Sequence, residues 1–216
     1  EITTRLVGSE MCIRDSSYLL AFEDKQKIGK IIYCERGDPG DKEYKGLMSL
    51  IRYIVFPHIN GFVFQSEGAK NYFKSKHVLN NSSVIPNACF RKFEPFTGVR
   101  RKVIVTVGRL SDQKNQTLLI NAFAKCAKRI PDYNLEIIGD GELKNELQDL
   151  INHLNLQDRI CLKGTFNNVS DLIRDASLFV LSSDYEGIPN ALIEAMSLGL
   201  PCISTCLLYT SDAADD

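Results

Sequence analysis

Two glutamates, Glu186 and Glu194, stand eight residues apart in the part of the sequence best suited to ligand chemistry. Gly187 and Pro189 disfavour a helix between them, whereas Asn190 is a favoured N-cap and the apolar residues after it repeat with helical periodicity. The start of such a helix presents free backbone N–H groups, and Glu194 lies one turn further on the same face. The segment therefore predicts a binding site for a phosphorylated ligand that carries hydroxyl groups beside its phosphate.

Four other short segments accompany the two glutamates, in a fixed order along the chain. They are Val103–Leu110, Lys114–Asn115, Ile137–Glu142 and Gly199–Pro201. With the E-x7-E spacing of Glu186 and Glu194, they resemble the motifs of the retaining group-1 glycosyltransferases, and the resemblance covers roughly residues 60 to 205. The resemblance implies an α/β fold of two facing Rossmann-like domains, known as GT-B, and a nucleotide sugar as the donor substrate.

The resemblance also implies roles for individual residues. Arg109 and Lys114 would bind the diphosphate, where two fixed cations stabilise the charge that grows as the glycosidic bond breaks. Glu194 would accept hydrogen bonds from the ribose hydroxyls, and Glu186 would meet the transferred sugar. The sequence leaves open whether Glu186 is a nucleophile or only positions the sugar. The backbone after it would contact sugar and phosphates, at Gly187, Ile188, Pro189 and Asn190.

A glycine-rich turn gives two interpretations. Gly139, Asp140 and Gly141 follow a predicted strand and precede a predicted helix. Because glycine has no Cβ, this backbone could approach the nucleotide sugar closely. Alternatively, the segment is a strand-to-helix turn that Asp140 or Glu142 caps.

Neither a metal nor a cofactor is expected. Asp184 and Glu186 are spaced like the D-x-D metal motif of another glycosyltransferase fold, but Arg109 and Lys114 already supply the charge that a divalent ion would bring. The seven cysteines include no C-x-x-C pair, which is typical of reduced thiols in a cytoplasmic protein.

Alternating hydrophobic patterns predict the domain organisation. Five strands alternate with four helices between residues 103 and 204, which indicates a parallel sheet with helices on both faces. We predict one of these helices over residues 171–176. Residues 16–90 are assigned to the acceptor-side domain, 91–101 to a linker and 102–205 to the nucleotide-sugar domain. Residues 1–15 and 206–216 resemble translated sequencing-library adapters and are set aside.

The sequence predicts a glycosyltransferase that transfers a hexose, from a UDP-sugar, to a glycan or lipid-linked saccharide with retention of configuration. The 26 basic and 27 acidic side chains nearly balance, so no nucleic acid partner is indicated. No apolar run reaches the length of about 18 residues that a spanning helix needs, so we expect a cytoplasmic protein whose membrane contact is peripheral. As a fragment that lacks most of the acceptor surface, the chain is expected to be inactive. Two alternatives remain: a sugar-nucleotide epimerase of the same shape, and a non-catalytic nucleotide-binding module.

Overall fold

The computed structural model describes residues 30–35, 47–86 and 95–206. The chain divides into two compact units, with a boundary between Asn87 and Ala88. The predicted adapter segments lie outside the described residues, apart from Cys206, whose carbonyl accepts a hydrogen bond of 2.7 Å from the Ser204 hydroxyl. Within the described ranges, no helix has both the length and the apolar character needed to cross a membrane.

The first unit is a parallel three-stranded sheet with an aromatic core. Its strands lie in the order β1-β2-β3, and Ser66 caps its second helix by accepting a hydrogen bond of 3.1 Å from the Ala69 N–H. Alternate strand residues, among them Tyr33, Phe62 and Phe64, point into the core. The elements are β1 (Ile32–Glu35), α1 (Leu47–Val55), a 3-10 turn (Phe56–His58), β2 (Gly61–Phe64), α2 (Glu67–Lys76) and β3 (Ser82–Val84).

The second unit is the Rossmann-like domain that the alternating pattern predicts. Its five strands are all parallel and lie in the order β6-β5-β4-β7-β8, which confirms the α/β class. The strands are β4 (Arg101–Val107), β5 (Asn134–Ile138), β6 (Ile160–Gly164), β7 (Ala176–Leu181) and β8 (Cys202–Ser204). The helices are α3 (Gln116–Cys126), α4 (Lys144–His153), α5 (Val169–Ile173) and α6 (Asn190–Ser197), and a 3-10 turn covers Asp112–Lys114.

Hydrophobic side chains fill both faces of this sheet. Leu119 and Phe123 of α3 pack with Leu147 and Ile151 of α4 in one buried cluster, as their helical spacing predicts. Leu192 and Ala195 of α6 belong to the cluster that contains Phe179 of β7. The helices are therefore anchored by their apolar stripes, which leaves the loops at the strand ends to carry the chemistry.

One predicted helix is displaced. The prediction of a helix over residues 171–176 is wrong in its bounds, because α5 ends at Ile173 and Ala176 begins β7. Ala176 pairs in parallel with Arg101 and is fully buried. Alanine suits a helix by its intrinsic propensity, but burial in the sheet decides its conformation here.

The second half of the predicted linker packs on the second unit. Arg101 is already part of β4. The Arg100 guanidinium donates hydrogen bonds of 3.1, 3.0 and 2.8 Å to the carbonyls of Arg174, Ala176 and Gly199. Residues 95–101 therefore belong to the body of the second unit, while residues 91–94 lie outside the described ranges.

Candidate active site

Three of the predicted motifs follow neighbouring strands of the second unit. Arg109 and Lys114 come after β4, the turn Gly139–Gly141 comes after β5, and Glu186 comes after β7. Strands β5, β4 and β7 are adjacent and parallel, so their carboxyl ends meet at one edge of the sheet. This edge is where open α/β sheets bind ligands.

An ion pair joins two of the predicted catalytic residues. The Lys114 Nζ atom lies 2.5 Å from Oε1 of Glu186, and the two side chains are 22% and 8% exposed. The Ser183 hydroxyl donates a second hydrogen bond, of 2.6 Å, to the same carboxylate oxygen. An ammonium group has three N–H donors, so Lys114 keeps donors for a phosphate while it holds Glu186.

The turn after β4 fixes the direction of Lys114. The stem of its side chain lies over Gly108, where an added Cβ would be 3.4 Å from Lys114 Cδ. Asn115 follows in the left-handed conformation, with φ of 44°, and its side chain accepts a hydrogen bond of 3.1 Å from the Leu118 N–H to cap α3. Asparagine is one of the few residues besides glycine that adopt this conformation readily.

Several polar residues that the sequence analysis did not select hold the two loops together. Residues 111–115, after β4, and residues 182–185, after β7, are joined by four hydrogen bonds that we call the loop clamp. Its donors and acceptors are Ser182 Oγ to Lys114 O (2.9 Å), Asp184 N to Gln113 O (2.9 Å), Gln113 Nε2 to Tyr185 O (3.0 Å) and Asn115 Nδ2 to Asp184 Oδ1 (2.7 Å). A run of serines directly after a predicted strand is the one sequence signal that could have drawn attention to this region. The Asp184 carboxylate therefore has a hydrogen-bond partner within the loop pair, the side-chain amide of Asn115.

Arg109 differs from Lys114 because its backbone is fixed by a hydrogen bond while its side chain is exposed. Its backbone carbonyl accepts a hydrogen bond of 2.8 Å from Nε2 of the buried Gln116. The Arg109 side chain is exposed, and within the described residues its guanidinium makes no hydrogen bond or ion pair. The fold thus fixes the backbone and leaves the planar guanidinium available, which suits bidentate binding of a phosphate.

The helix that carries Glu194 begins as predicted but is capped by a different residue. The N-cap of α6 is Pro189, without a side-chain cap hydrogen bond, so the prediction of Asn190 as N-cap is wrong. The Pro189 carbonyl accepts hydrogen bonds of 3.1 Å from the Leu192 N–H and 3.2 Å from the Ile193 N–H. Proline can precede the first turn because its φ angle, here −75°, already suits a helix entry. Glu194 is half-buried, and none of the described residues forms a hydrogen bond or ion pair with its carboxylate.

The glycine-rich turn after β5 packs against the loop after β4. A Cβ on Gly139, which has φ of +146°, would lie 1.9 Å from the Gly108 carbonyl oxygen, and one on Gly141 would lie 2.3 Å from that of Leu110. The Asp140 carboxylate accepts hydrogen bonds from the Gly141 N–H at 2.9 Å and from Lys144 Nζ at 3.3 Å. These two donors hold the pKa of Asp140 below its usual value. Packing and turn formation therefore account for all three residues without a ligand, and their predicted ligand contact stays a prediction.

No cluster of three or more His, Cys, Asp or Glu side chains that could hold a metal ion occurs in the part of the chain that the structure describes. The positive charges that the sequence singles out at this edge belong to Arg109 and Lys114. Independence of a metal remains a prediction.

Several curated relatives of the chain are named as glycosyltransferases. An uncharacterised glycosyltransferase of Methanocaldococcus jannaschii is 36% identical over 194 residues, which cover 82% of this chain and 48% of that protein. The Escherichia coli enzyme UDP-Gal:alpha-D-GlcNAc-diphosphoundecaprenol alpha-1,3-galactosyltransferase is 39% identical over 141 residues, which cover 56% of this chain and 35% of the enzyme. The chain thus spans about half or less of the length of these relatives.

Comparison with solved structures supports the same fold. The pneumococcal O-GlcNAc transferase GtfA, solved in complex with UDP and GlcNAc, superposes with a TM-score of 0.73 at 18% identity, over 83% of this chain and 38% of that one. The family described as glycosyl transferases group 1 matches residues 90–210, more than half of the chain. The chain has the Rossmann-like architecture of GT-B enzymes, and it belongs to the group 1 glycosyltransferases.

Proposed function

We propose that this chain supplies the donor site of a glycosyltransferase that moves a hexose from a UDP-sugar to a glycan or lipid-linked saccharide with retention of configuration. One observation carries the proposal: the Lys114–Glu186 ion pair lies at the carboxyl edge of the parallel sheet, and the loop that carries Lys114 also carries Arg109, whose guanidinium has no partner among the described residues. This arrangement combines cations for a diphosphate with a carboxylate for a sugar hydroxyl.

The cations suit a departing diphosphate. Charge on the leaving oxygen grows as the glycosidic bond breaks, so a fixed cation stabilises the transition state more than the bound donor. The loop clamp holds the backbone of Lys114 and Glu186 holds its ammonium group before any ligand binds, which lowers the cost of reorganising the site during reaction. Arg109 adds a planar group that can bind two phosphate oxygens at once.

The glutamate on α6 suits the ribose. The first N–H groups of α6 and its helix dipole favour a phosphate nearby. Glu194 stands one turn into this helix, half-buried, with a carboxylate that no described side chain neutralises. A carboxylate that no side chain neutralises can accept hydrogen bonds from two vicinal hydroxyls, which is the pattern that a ribose presents.

The relatives support the choice of nucleotide and acceptor. The E. coli relative is named for UDP-galactose and for an acceptor linked to diphosphoundecaprenol, and the pneumococcal structure contains UDP. An acceptor linked to diphosphoundecaprenol is anchored in a membrane by its long hydrocarbon chain. We therefore propose that the protein works on the cytoplasmic side, in peripheral contact with the membrane where its acceptor is lipid-linked.

A nucleotide panel tests the donor assignment. Titration calorimetry of the chain with UDP, GDP and ADP should give clearly tighter binding for UDP, and Glu194→Ala should weaken it. Tighter binding of GDP would overturn the UDP assignment, and absence of binding by all three nucleotides would overturn the donor site. Retention is tested separately with a protein of the relatives' full length, by following the anomeric proton of the first product by NMR. Transfer with inversion, or sugar epimerisation without an acceptor, would contradict the proposed reaction.

A further inference from the structure

Ser183 has a buried hydroxyl aimed at the predicted sugar-contacting carboxylate. It stands two residues after the end of β7 and is 1% exposed. Its hydroxyl donates a hydrogen bond of 2.6 Å to Oε1 of Glu186. A serine hydroxyl has one donor, so this contact uses all of its donating capacity. The Ser183 backbone is fixed as well, because its carbonyl accepts a hydrogen bond of 2.8 Å from the Thr205 hydroxyl.

The two oxygens of Glu186 differ as a result. Oε1 accepts from Ser183 at 2.6 Å and from Lys114 at 2.5 Å, which accounts for both of its lone pairs. Oε2 accepts no hydrogen bond from any of the described residues. We infer that Ser183 is a positioning residue that fixes the Glu186 carboxylate so that Oε2 is the oxygen available to the donor sugar. The inference rests on the proposed function.

Lys114 alone would not fix this orientation. Its ammonium group is a point charge on a flexible four-carbon stem, and it binds either oxygen of a carboxylate equally well. A bound diphosphate would also attract the same ammonium group. The Ser183 hydroxyl has no such competing role, and its short side chain on a buried strand end loses little rotamer freedom when it binds. It therefore keeps its hold on Glu186 when the remaining N–H donors of Lys114 bind the phosphate.

The loop clamp supports this geometry from both sides of Ser183. The residue before it, Ser182, donates to the Lys114 carbonyl, and the N–H of the residue after it, Asp184, donates to the Gln113 carbonyl. A side chain supported in this way keeps its direction to within the tolerance that binding sites need.

The test compares two affinities in the full chain. Titration calorimetry gives the affinity for UDP and for UDP-galactose or UDP-glucose, whichever the parent chain binds more tightly. Ser183→Ala should weaken binding of the UDP-hexose by about tenfold, the effect of losing one hydrogen bond to a charged group, and leave UDP binding unchanged. Ser183→Thr, which keeps the hydroxyl, should restore the ratio of the two affinities. In a Glu186→Ala background, Ser183→Ala should have no further effect.

Ser177→Ala is the matched control. Ser177 lies on β7, the strand that leads to Ser183, and its hydroxyl donates a hydrogen bond of 2.6 Å to the Arg101 carbonyl at the opposite end of the sheet. The Ser177→Ala substitution should leave the affinities for UDP and for the UDP-hexose unchanged. If Ser183→Ala lowers the melting temperature so far that it cannot be titrated, Ser183→Cys, a weaker donor of similar size, takes its place. A parent chain that binds neither ligand overturns the proposed function and the inference with it. A parent that binds both, with a Ser183→Ala variant whose affinity ratio is unchanged, overturns the inference alone.

Discussion

The turn after β5 and the loop pair after β4 and β7 lie at the same edge of one sheet, yet their residues have different roles. In the turn, Gly139 and Gly141 are needed because the backbone of residues 108–110 occupies the space of a side chain. In the loop pair, Lys114 and Glu186 hold each other and keep donor and acceptor capacity for a ligand. Family motifs at one edge therefore divide into residues that shape the backbone and residues that carry charge. Stability and ligand affinity separate the two groups experimentally.

The largest effect should come from Gly139→Ala. This glycine has φ of +146°, and an added Cβ would lie 1.9 Å from the Gly108 carbonyl oxygen, so strain and a backbone clash combine. We expect a loss of about 4 kcal/mol in the free energy of unfolding, measured by urea denaturation. Gly164→Ala is the control, because Gly164 has φ of +76° with nothing within 4 Å of the added Cβ. Its loss should be about 1 kcal/mol, from strain alone. Equal losses at the two positions would contradict the packing explanation.

The two cations should respond differently to truncation. Lys114→Met and Arg109→Met should each weaken UDP binding by about 2 kcal/mol, the effect of removing a charged hydrogen-bond donor, as titration calorimetry would show. Only Lys114→Met should also lower the free energy of unfolding, by about 1 kcal/mol, because it removes one of two donors from the mostly buried Glu186. Arg109→Met should leave stability within about 0.5 kcal/mol of the parent. A loss of stability with Arg109→Met would show that its side chain has a structural partner.

Glu194→Ala should affect affinity without affecting stability. We expect UDP binding to weaken by about 1.5 kcal/mol if the carboxylate accepts hydrogen bonds from the ribose. The parent should also bind UDP more tightly than 2′-deoxy-UDP, and the variant should bind the two alike. Unchanged discrimination in the variant would remove Glu194 from the ribose contact. Glu142→Ala, which alters an exposed glutamate in the loop before α4, is the control.

The repeating elements could be predicted from sequence because their signals are local. The predicted apolar stripes of α3 and α4 follow a helical period, and Leu119, Phe123, Leu147 and Ile151 are buried as expected. The stripe on α3 also included Ala122 and Cys126, which are exposed, so that part of the prediction is wrong. Helix ends were less predictable, as Pro189 and Asn190 show, since both residues suit a helix start and the difference is one position. Ala176 joined the sheet because of its pairing with Arg101, which lies 75 positions earlier in the sequence.

The contacts within the site could not be predicted in the same way. Lys114 and Glu186 are 72 residues apart, and their pairing depends on β4 and β7 being neighbours in the sheet. The motifs identified both residues but not the bond between them. Ser183 was missed because a serine at a strand end is common, and its importance depends on where the Glu186 carboxylate turns. Asn115 was noted beside Lys114, while its bond to Asp184 required the folded loops.

The smallest effect on the free energy of unfolding should come from Asp140→Asn. The same variant tests whether the turn after β5 contacts the ligand. The Gly141 N–H and the Lys144 ammonium hold the pKa of Asp140 below its usual value, so the ionised carboxylate stabilises the folded chain above the pKa of the unfolded state, about 4. The parent should therefore be slightly more stable than the variant at pH 7 in urea denaturation. This difference should disappear as the pH falls through the lower pKa of the folded state. Asp132→Asn is the control, because the pKa of Asp132 is also lowered, by its hydrogen bond from Lys102. Asp132 stands two residues before the start of β5, at the amino-terminal edge of the sheet and away from the candidate site. If Asp140 serves only the turn, the two variants bind UDP like the parent, whereas weaker binding by Asp140→Asn alone would place its carboxylate in the donor site.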